Sequence, residues 1–494
     1  MCQGVRQEVD GTRELAELAL EVARTCGASY ADVRIVRTEE ERISVKNCLV
    51  SELSRNEDMG FGVRVLADGA WGFSSSSVLS EEEVRRVVAE AVEIAKASAS
   101  LKLRDVTLAP EPPHTAEWTT PIAKDPFEVP LDEKIDLLTR TTEEALRTRG
   151  IKVAQAGMRF VREHKLFSNT EGSYIEQVLY FSGVGFTVFA VGHGDMQRRS
   201  FPSSFGGQYM SKGYELVEEV PLLENVGRIS EEAVMLLKAR QCPEATTDLI
   251  LDGSQLALQI HESLGHPSEL DRVLGTEASF AGTSFLTPDK LGRLKYASPI
   301  VDIVADSTVP GGLATAGYDD EGVEAQRWYL VREGTFVGYL TSRETAPVLG
   351  EPRSRGCMRA DGWNRIPLIR MTNISLMPGD PTLDELINDT RDGIYMETNK
   401  SWSIDQRRIN FQFATEIAWR IKKGRKVEVL KNPSYQGKTL EFWNSCDAIC
   451  NEDHFVLWGI VNCGKGQPLQ IARMSHGASP ARFRRVKVGV AHAK

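Results

Sequence analysis

The sequence predicts an α+β protein: an N-terminal region of two helix–antiparallel-strand–helix halves, followed by a β-rich C-terminal domain. Three observations lead there. Amphipathic helical runs bracket strand-like runs twice between residues 1 and 239. A proline-rich stretch at about 105–130 separates the two occurrences. Beyond residue 240 the chain becomes a series of short strand-like runs divided by Gly/Pro turns. The domain division expected is therefore 1–239 and 240–494.

In the first half, residues 13–26 place Leu15, Leu18 and Val22 on one helical face, with Ala19, Ala23 and Cys26 beside them and Gly27 as a stop. Strand patterns follow at 31–36, 42–49 and 60–66. The last continues through an Ala67-Asp68-Gly69 turn to Trp71 and Phe73. Ser80 with Glu83 forms a capping box ahead of a helix whose apolar face is Val84, Val87, Val88, Ala91, Ile94 and Ala95. In the second half, a helix is expected at 131–148, strands between Val153 and Val191, and a helix starting at Ser230. Beyond 240, a strand at 248–251 leads through Asp252-Gly253-Ser254 into a short helix, 255–264. Further strands are expected at 300–304, 326–331, 336–340, 368–374, 408–421 and 484–490.

The chain has 494 residues, with 59 Lys+Arg against 69 Asp+Glu and a net charge of −10. Nucleic acid or an anionic membrane as main partner would call for a basic footprint, which this balance lacks. The one basic group, Arg482, Arg484, Arg485 and Lys487, reads as a solvated end strand. No run approaches 18 consecutive apolar residues, so no transmembrane helix is expected. Glu8, Asp10, Glu14, Glu17 and Glu21 break up any signal-peptide core. The eight cysteines are spread through the chain and read as reduced thiols of a cytoplasmic protein.

The informative segment is His261-Glu262-Ser263-Leu264-Gly265-His266. Two imidazoles near a glutamate form the core of many zinc hydrolases: the imidazoles hold the ion, and the glutamate takes a proton from the attacking water. The familiar spacing is i, i+4, about 40° apart on an α-helix, whereas i+5 puts the rings roughly 140° apart. Gly265 and Pro267 suggest that the helix stops there and that a turn swings His266 back toward His261. A catalytic zinc needs a third protein ligand. Glu269 and Asp271 are near in sequence, and Cys463 lies in a Gly-flanked stretch, 462–468, that reads as a turn. A separate closed site from Cys446, Cys450 and His454, with Cys463, is an alternative use of the same residue types. Phosphate-loop, G-x-G-x-x-G and G-x-S-x-G patterns are absent.

The chain resembles the TldD/PmbA family of peptidases, in its TldD-like, metal-bearing branch. The resemblance is carried, in order, by residues 60–65, 69–73, 166–172, 261–266, 306–308, 317–322, 370–374 and 463–467. It implies that His261, His266 and Cys463 bind Zn2+ and that Glu262 is the general base, which selects Cys463 over Glu269 and Asp271 as third ligand. It also implies a cytoplasmic homodimer, or a heterodimer with a paralogous PmbA/TldE-like subunit, acting on unfolded or modified peptides. The competing reading is a zinc-bearing peptide-binding or regulatory subunit without cleavage activity.

Overall fold

The computed structural model describes residues 2–491, with side chains from residue 11 onward. The first elements are α1 (Cys2–Thr25), β1 (Tyr30–Lys46), β2 (Leu49–Ala67), β3 (Ala70–Ser76), α2 (Glu81–Ala99), β4 (Thr115–Thr119), α3 (Leu131–Arg147), β5 (Ile151–Asn169), β6 (Tyr174–Gly192), β7 (Asp195–Phe201), β8 (Gln208–Met210), α4 (Glu215–Glu219) and α5 (Leu222–Lys238). The strands of both stretches read as halves share one eight-stranded sheet, ordered β3-β2-β1-β5-β6-β4, with β7 and β8 also on β6. The join is the antiparallel β1–β5 pairing, from Asp32↔Asn169 to Lys46↔Gln155.

The runs at 31–36 and 42–49 do not form two strands. Residues 31–36 and 42–46 are parts of β1, a single strand of 17 residues, while the end of the second run, Asn47-Cys48, is the turn into β2. The charged stretch between them stays in register because its charges are answered across the ladder: Arg37 pairs with Glu57 at 2.7 Å, and Glu39 binds Arg55 and Arg162. The proline-rich stretch contains β4, which pairs parallel to β6. α5 starts at Leu222, earlier than Ser230, because Pro221 already sets the N-cap; Ser230 is buried inside the helix.

Side chains alternate along β1, so one parity faces the helices. Val33 and Ile35 pack with Ala19, Ala23, Val87 and Ala91 of α1 and α2, while Ile43 and Val45 pack with Leu138 of α3 and Val226 and Ile229 of α5. The opposite parity carries buried charge. Arg64 binds Asp32 at 2.7 Å and Glu321 at 3.2 Å, and Arg34 and Lys165 meet Asp320 at 3.6 and 2.8 Å. These pairs dock the sheet on the C-terminal half and give Asp320 and Glu321 a structural task.

The C-terminal half is built on β9 (Arg240–Gln241), β10 (Ala245–Leu251) and α6 (Gly253–Ile260). β10 pairs in parallel with strand Asp392–Ile404 and antiparallel with Ala481–Val490. Ala481–Val490 pairs Pro433–Lys438, that strand pairs Asn410–Lys422, and Asn410–Lys422 returns to Asp392–Ile404. The pairing thus closes into a ring of five strands, each paired on both sides, from which the remaining strands of the sheet branch. A four-stranded sheet (Ile303–Asp306, Arg327–Arg332, Thr335–Phe336, Asn373–Leu376) and a hairpin (Val456–Lys465, Gln470–Ala478) complete the region. The strand expected at 336–340 ends at Phe336, and that at 368–374 is split in two. α6 is buried along its whole length: Gln255 donates to the Tyr435 hydroxyl at 2.8 Å, and that hydroxyl donates to Gln259 at 2.9 Å. A helix held on all sides is a rigid mount for whatever follows it.

Candidate metal centre

α6 opens at Asp252, whose carboxylate accepts from the backbone N–H and the hydroxyl of Ser254 at 2.9 and 2.6 Å. The helix does not stop at Gly265. It continues as a π-turn over His261–Gly265, in which the N–H of His266 donates to the carbonyl of His261. An i→i+5 bond places residues five apart one above the other, so both imidazoles reach the same point without a helix end. Gly265 is right-handed, at φ −55° and ψ −65°. Its missing side chain serves packing instead: a Cβ there would sit 2.1 Å from the Met371 sulfur.

His261, His266 and Cys463 are buried and bring their ligand atoms within 4.8 Å of one another. The Cys463 sulfur is 3.6 Å from His266 Nε2, and the two imidazoles stand edge-on with centroids 4.9 Å apart. Cys463 lies within strand Val456–Lys465 opposite Ala472, not in the turn, which begins after Lys465. A register irregularity between Ile460 and Cys463 bends the strand there, as bulges that re-aim a side chain do.

Glu269 and Asp271 stand outside this group. Glu269 accepts from His266 Nδ1 at 2.9 Å, and Asp271 is paired with Lys465 at 2.8 Å. The alternative cluster is dispersed. His454 Nε2 accepts from the Leu383 amide at 3.0 Å, Cys446 lies in strand Cys446–Ile449, and Cys450 packs in a separate small core with Ile250 and Leu386.

Burial is the largest influence on the two imidazoles, and nearby Arg408 and Arg370 act in the same direction, so both titrate well below the usual histidine range. Each is thus the neutral ring that a metal needs. Burial pushes the Cys463 thiol up to about 11, against the pull of Arg370. Arg370 is itself buried and donates to the carbonyls of Cys463 and Gln470. Burial likewise raises the Glu262 carboxyl, opposed by Arg408, with which it forms an ion pair. A third histidine, His476, faces His261: His476 Nε2 lies 2.8 Å from His261 Nδ1, while its Nδ1 is 3.0 Å from the Ile374 carbonyl. Sequence reasoning missed Arg408 and His476, because each is far along the chain from the motif, and it gave Lys465 no role beyond its place in residues 463–467. Arg370 carried a signal only through its place in residues 370–374.

This donor set fits zinc: two neutral imidazoles and one thiol, buried, with both Nδ1 atoms already engaged, His266 Nε2 beside the Cys463 sulfur, and the Nε2 of each ring left for an ion. Three family models match the sequence: PmbA/TldA metallopeptidase domain 1 over residues 31–95, the central domain over 124–241 and the C-terminal domain over 244–490. The chain belongs to the TldD/PmbA metallopeptidase family. Among relatives in the TldD/PmbA family, the metalloprotease MJ0996 of Methanocaldococcus jannaschii is 30% identical over 90% of this chain and 94% of its own. A metalloprotease of Methanothermobacter thermautotrophicus is 31% identical over 93% and 95%. A protein of Saccharolobus solfataricus named as a zinc metalloprotease TldD homolog is 24% identical over 94% and 98%. The fold is shared with a solved Thermotoga maritima protein described as a modulator of a DNA gyrase (TM-score 0.77, 16% identity, 97% of this chain and all of the other). It is also shared with TldE of Thermococcus kodakarensis (TM-score 0.70, 16% identity, 96% of this chain and all of the other). No helix among the described residues is long and apolar enough to cross a membrane.

Proposed function

We propose that this chain is a zinc-dependent peptidase that cleaves unfolded or modified peptides, with His261, His266 and Cys463 as ligands and Glu262 as general base. The observation that carries the reading is the convergence of a thiol from residue 463 on two imidazoles almost two hundred residues earlier, at one buried point. Zinc held there supplies Lewis acidity to the attacking water and the scissile carbonyl. Glu262 follows His261 directly on the π-turn. Its carboxylate accepts the water's proton and passes it to the leaving amine. Arg408 holds that carboxylate in place and favours its ionised form. Glu269 accepts the Nδ1 proton of His266 and fixes the ring. The relative named as a zinc metalloprotease supports the choice of metal. The likeness to TldE fits pairing with a TldE-like paralogue, a homodimer being the other arrangement the resemblance implies; the scattered cysteines fit a cytoplasmic setting, and the acidic charge balance disfavours nucleic acid as a partner.

The test is mass spectrometry of a peptide pool incubated with the pure protein, with and without chelator, beside Glu262→Gln. Chelator-sensitive fragments from the wild type alone, with zinc retained in Glu262→Gln, are the expected result. Intact peptides under every condition, with a paralogous partner present as well, would leave the chain as a peptide-binding subunit.

A further inference from the structure

His476 belongs to neither the motif nor the cluster of three candidate ligands, yet it is fully buried against His261. It comes from strand Gln470–Ala478, the partner of the strand that bears Cys463. One hairpin therefore brings a candidate ligand on one strand and a histidine on the other against the end of α6.

The hydrogen-bond chain has one self-consistent direction. The Ile374 carbonyl can only accept, so His476 Nδ1, 3.0 Å away, must carry a proton. A neutral imidazole has one N–H, so His476 Nε2 is then a bare acceptor. That nitrogen lies 2.8 Å from His261 Nδ1, which must donate to it. His261 is left with an unprotonated Nε2, the one ring nitrogen of His261 not taken up by His476 and so available to an ion shared with His266 and Cys463. The reverse direction would set a bare Nδ1 against a carbonyl oxygen at 3.0 Å, two lone pairs with no proton between them. A doubly protonated His476 would have no anionic partner among the described residues, where its ring nitrogens hydrogen-bond to the Ile374 carbonyl and His261.

We propose that His476 is a positioning residue of the metal centre, fixing the tautomer and ring orientation of His261 so that His261 Nε2 is presented bare to the ion. The two imidazoles are thus held by unlike partners: a carboxylate, Glu269, behind His266 and a neutral imidazole behind His261. This inference rests on the zinc reading above. Outer partners of this kind are worth about 10- to 100-fold in metal affinity.

The test compares zinc affinity, by competition with a chromophoric chelator, for the wild type, His476→Gln, His476→Asn and His476→Leu, with cobalt(II) absorption as a second readout. Gln reaches His261 with an acceptor oxygen and should bind zinc within about threefold of the wild type. Asn keeps a donor for Ile374 but loses the reach, and Leu loses both; each should bind at least tenfold more weakly and shift the cobalt bands. Asn keeps the polar contact, so it decides the matter should Leu fail to fold. Equal affinities and spectra for Asn and the wild type would overturn the proposal while leaving the zinc reading intact. A wild-type protein that binds no zinc would overturn both.

Discussion

Gly265→Ala tests whether the π-turn sets the separation of the two histidines. An added Cβ would lie 2.1 Å from the Met371 sulfur, 3.2 Å from Met371 Cγ and 3.5 Å from Ile374 Cδ1. Ordinary non-bonded contact needs about 3.5–4.0 Å, so the helix or Met371 must yield by more than about 1 Å. Met371 is itself fully buried in the main core of the C-terminal half, so a shift of its thioether is passed on to packed neighbours. Alanine accepts the backbone angles at this position, so the conflict is one of packing alone. Overpacking of this sort costs about 1–3 kcal/mol. If displacement of His266 relative to His261 absorbs it, zinc affinity falls roughly 5- to 150-fold, at about 1.4 kcal/mol per tenfold. The assay is zinc competition on Gly265→Ala, Met371→Ala and the double variant. Met371→Ala removes both conflicting atoms, so the double variant should recover most of the lost affinity, with a coupling of about 0.5–3 kcal/mol. A Gly265→Ala protein that binds zinc within twofold of the wild type, or a loss that Met371→Ala does not relieve, would refute the reasoning.

Arg408→Met removes the cation that opposes the burial of Glu262. The carboxyl pKa then rises, so the acid limb of the kcat/KM profile should move to higher pH; an unchanged or acid-shifted limb would speak against the pairing. Arg64→Met strands Asp32 and Glu321 in the interface and should cost about 3–5 kcal/mol in urea unfolding, without rescue by lysine, whose point charge does not reproduce the fork. A loss below about 1 kcal/mol would mean the pair is not what holds the two regions together. Cys463→Ala should lose zinc and activity together, while Cys446→Ala and Cys450→Ala keep both; loss of zinc in either of the latter would reopen the dispersed cluster.

Local chemistry in the sequence is enough to find α6, because Asp252 and Ser254 make a cap ahead of an apolar run. It is not enough to find the π-turn. Residue identity shows that Gly265 is special but not whether the reason is a left-handed bend or the Met371 sulfur above it, and the second holds. The fusion of two expected strands into β1 was hidden for a similar reason. Glu39, Glu40 and Glu41 read as a polar break until their cross-strand arginines and Lys134 are known. Glu269 was legible as a site residue but in another role, since it engages Nδ1 of His266 rather than the side of the ring that faces Cys463. The ring of five strands and the approach of His476 depend on pairings between segments far apart in the chain, and no periodicity within either segment reports them.

X-ray absorption at the zinc edge of the zinc-loaded wild type addresses the central claim most directly. The account predicts two imidazole nitrogens at about 2.0–2.1 Å and one sulfur at about 2.3 Å, with the sulfur lost in Cys463→Ala. A shell made only of nitrogen and oxygen, or a sulfur shell that survives Cys463→Ala, would contradict it.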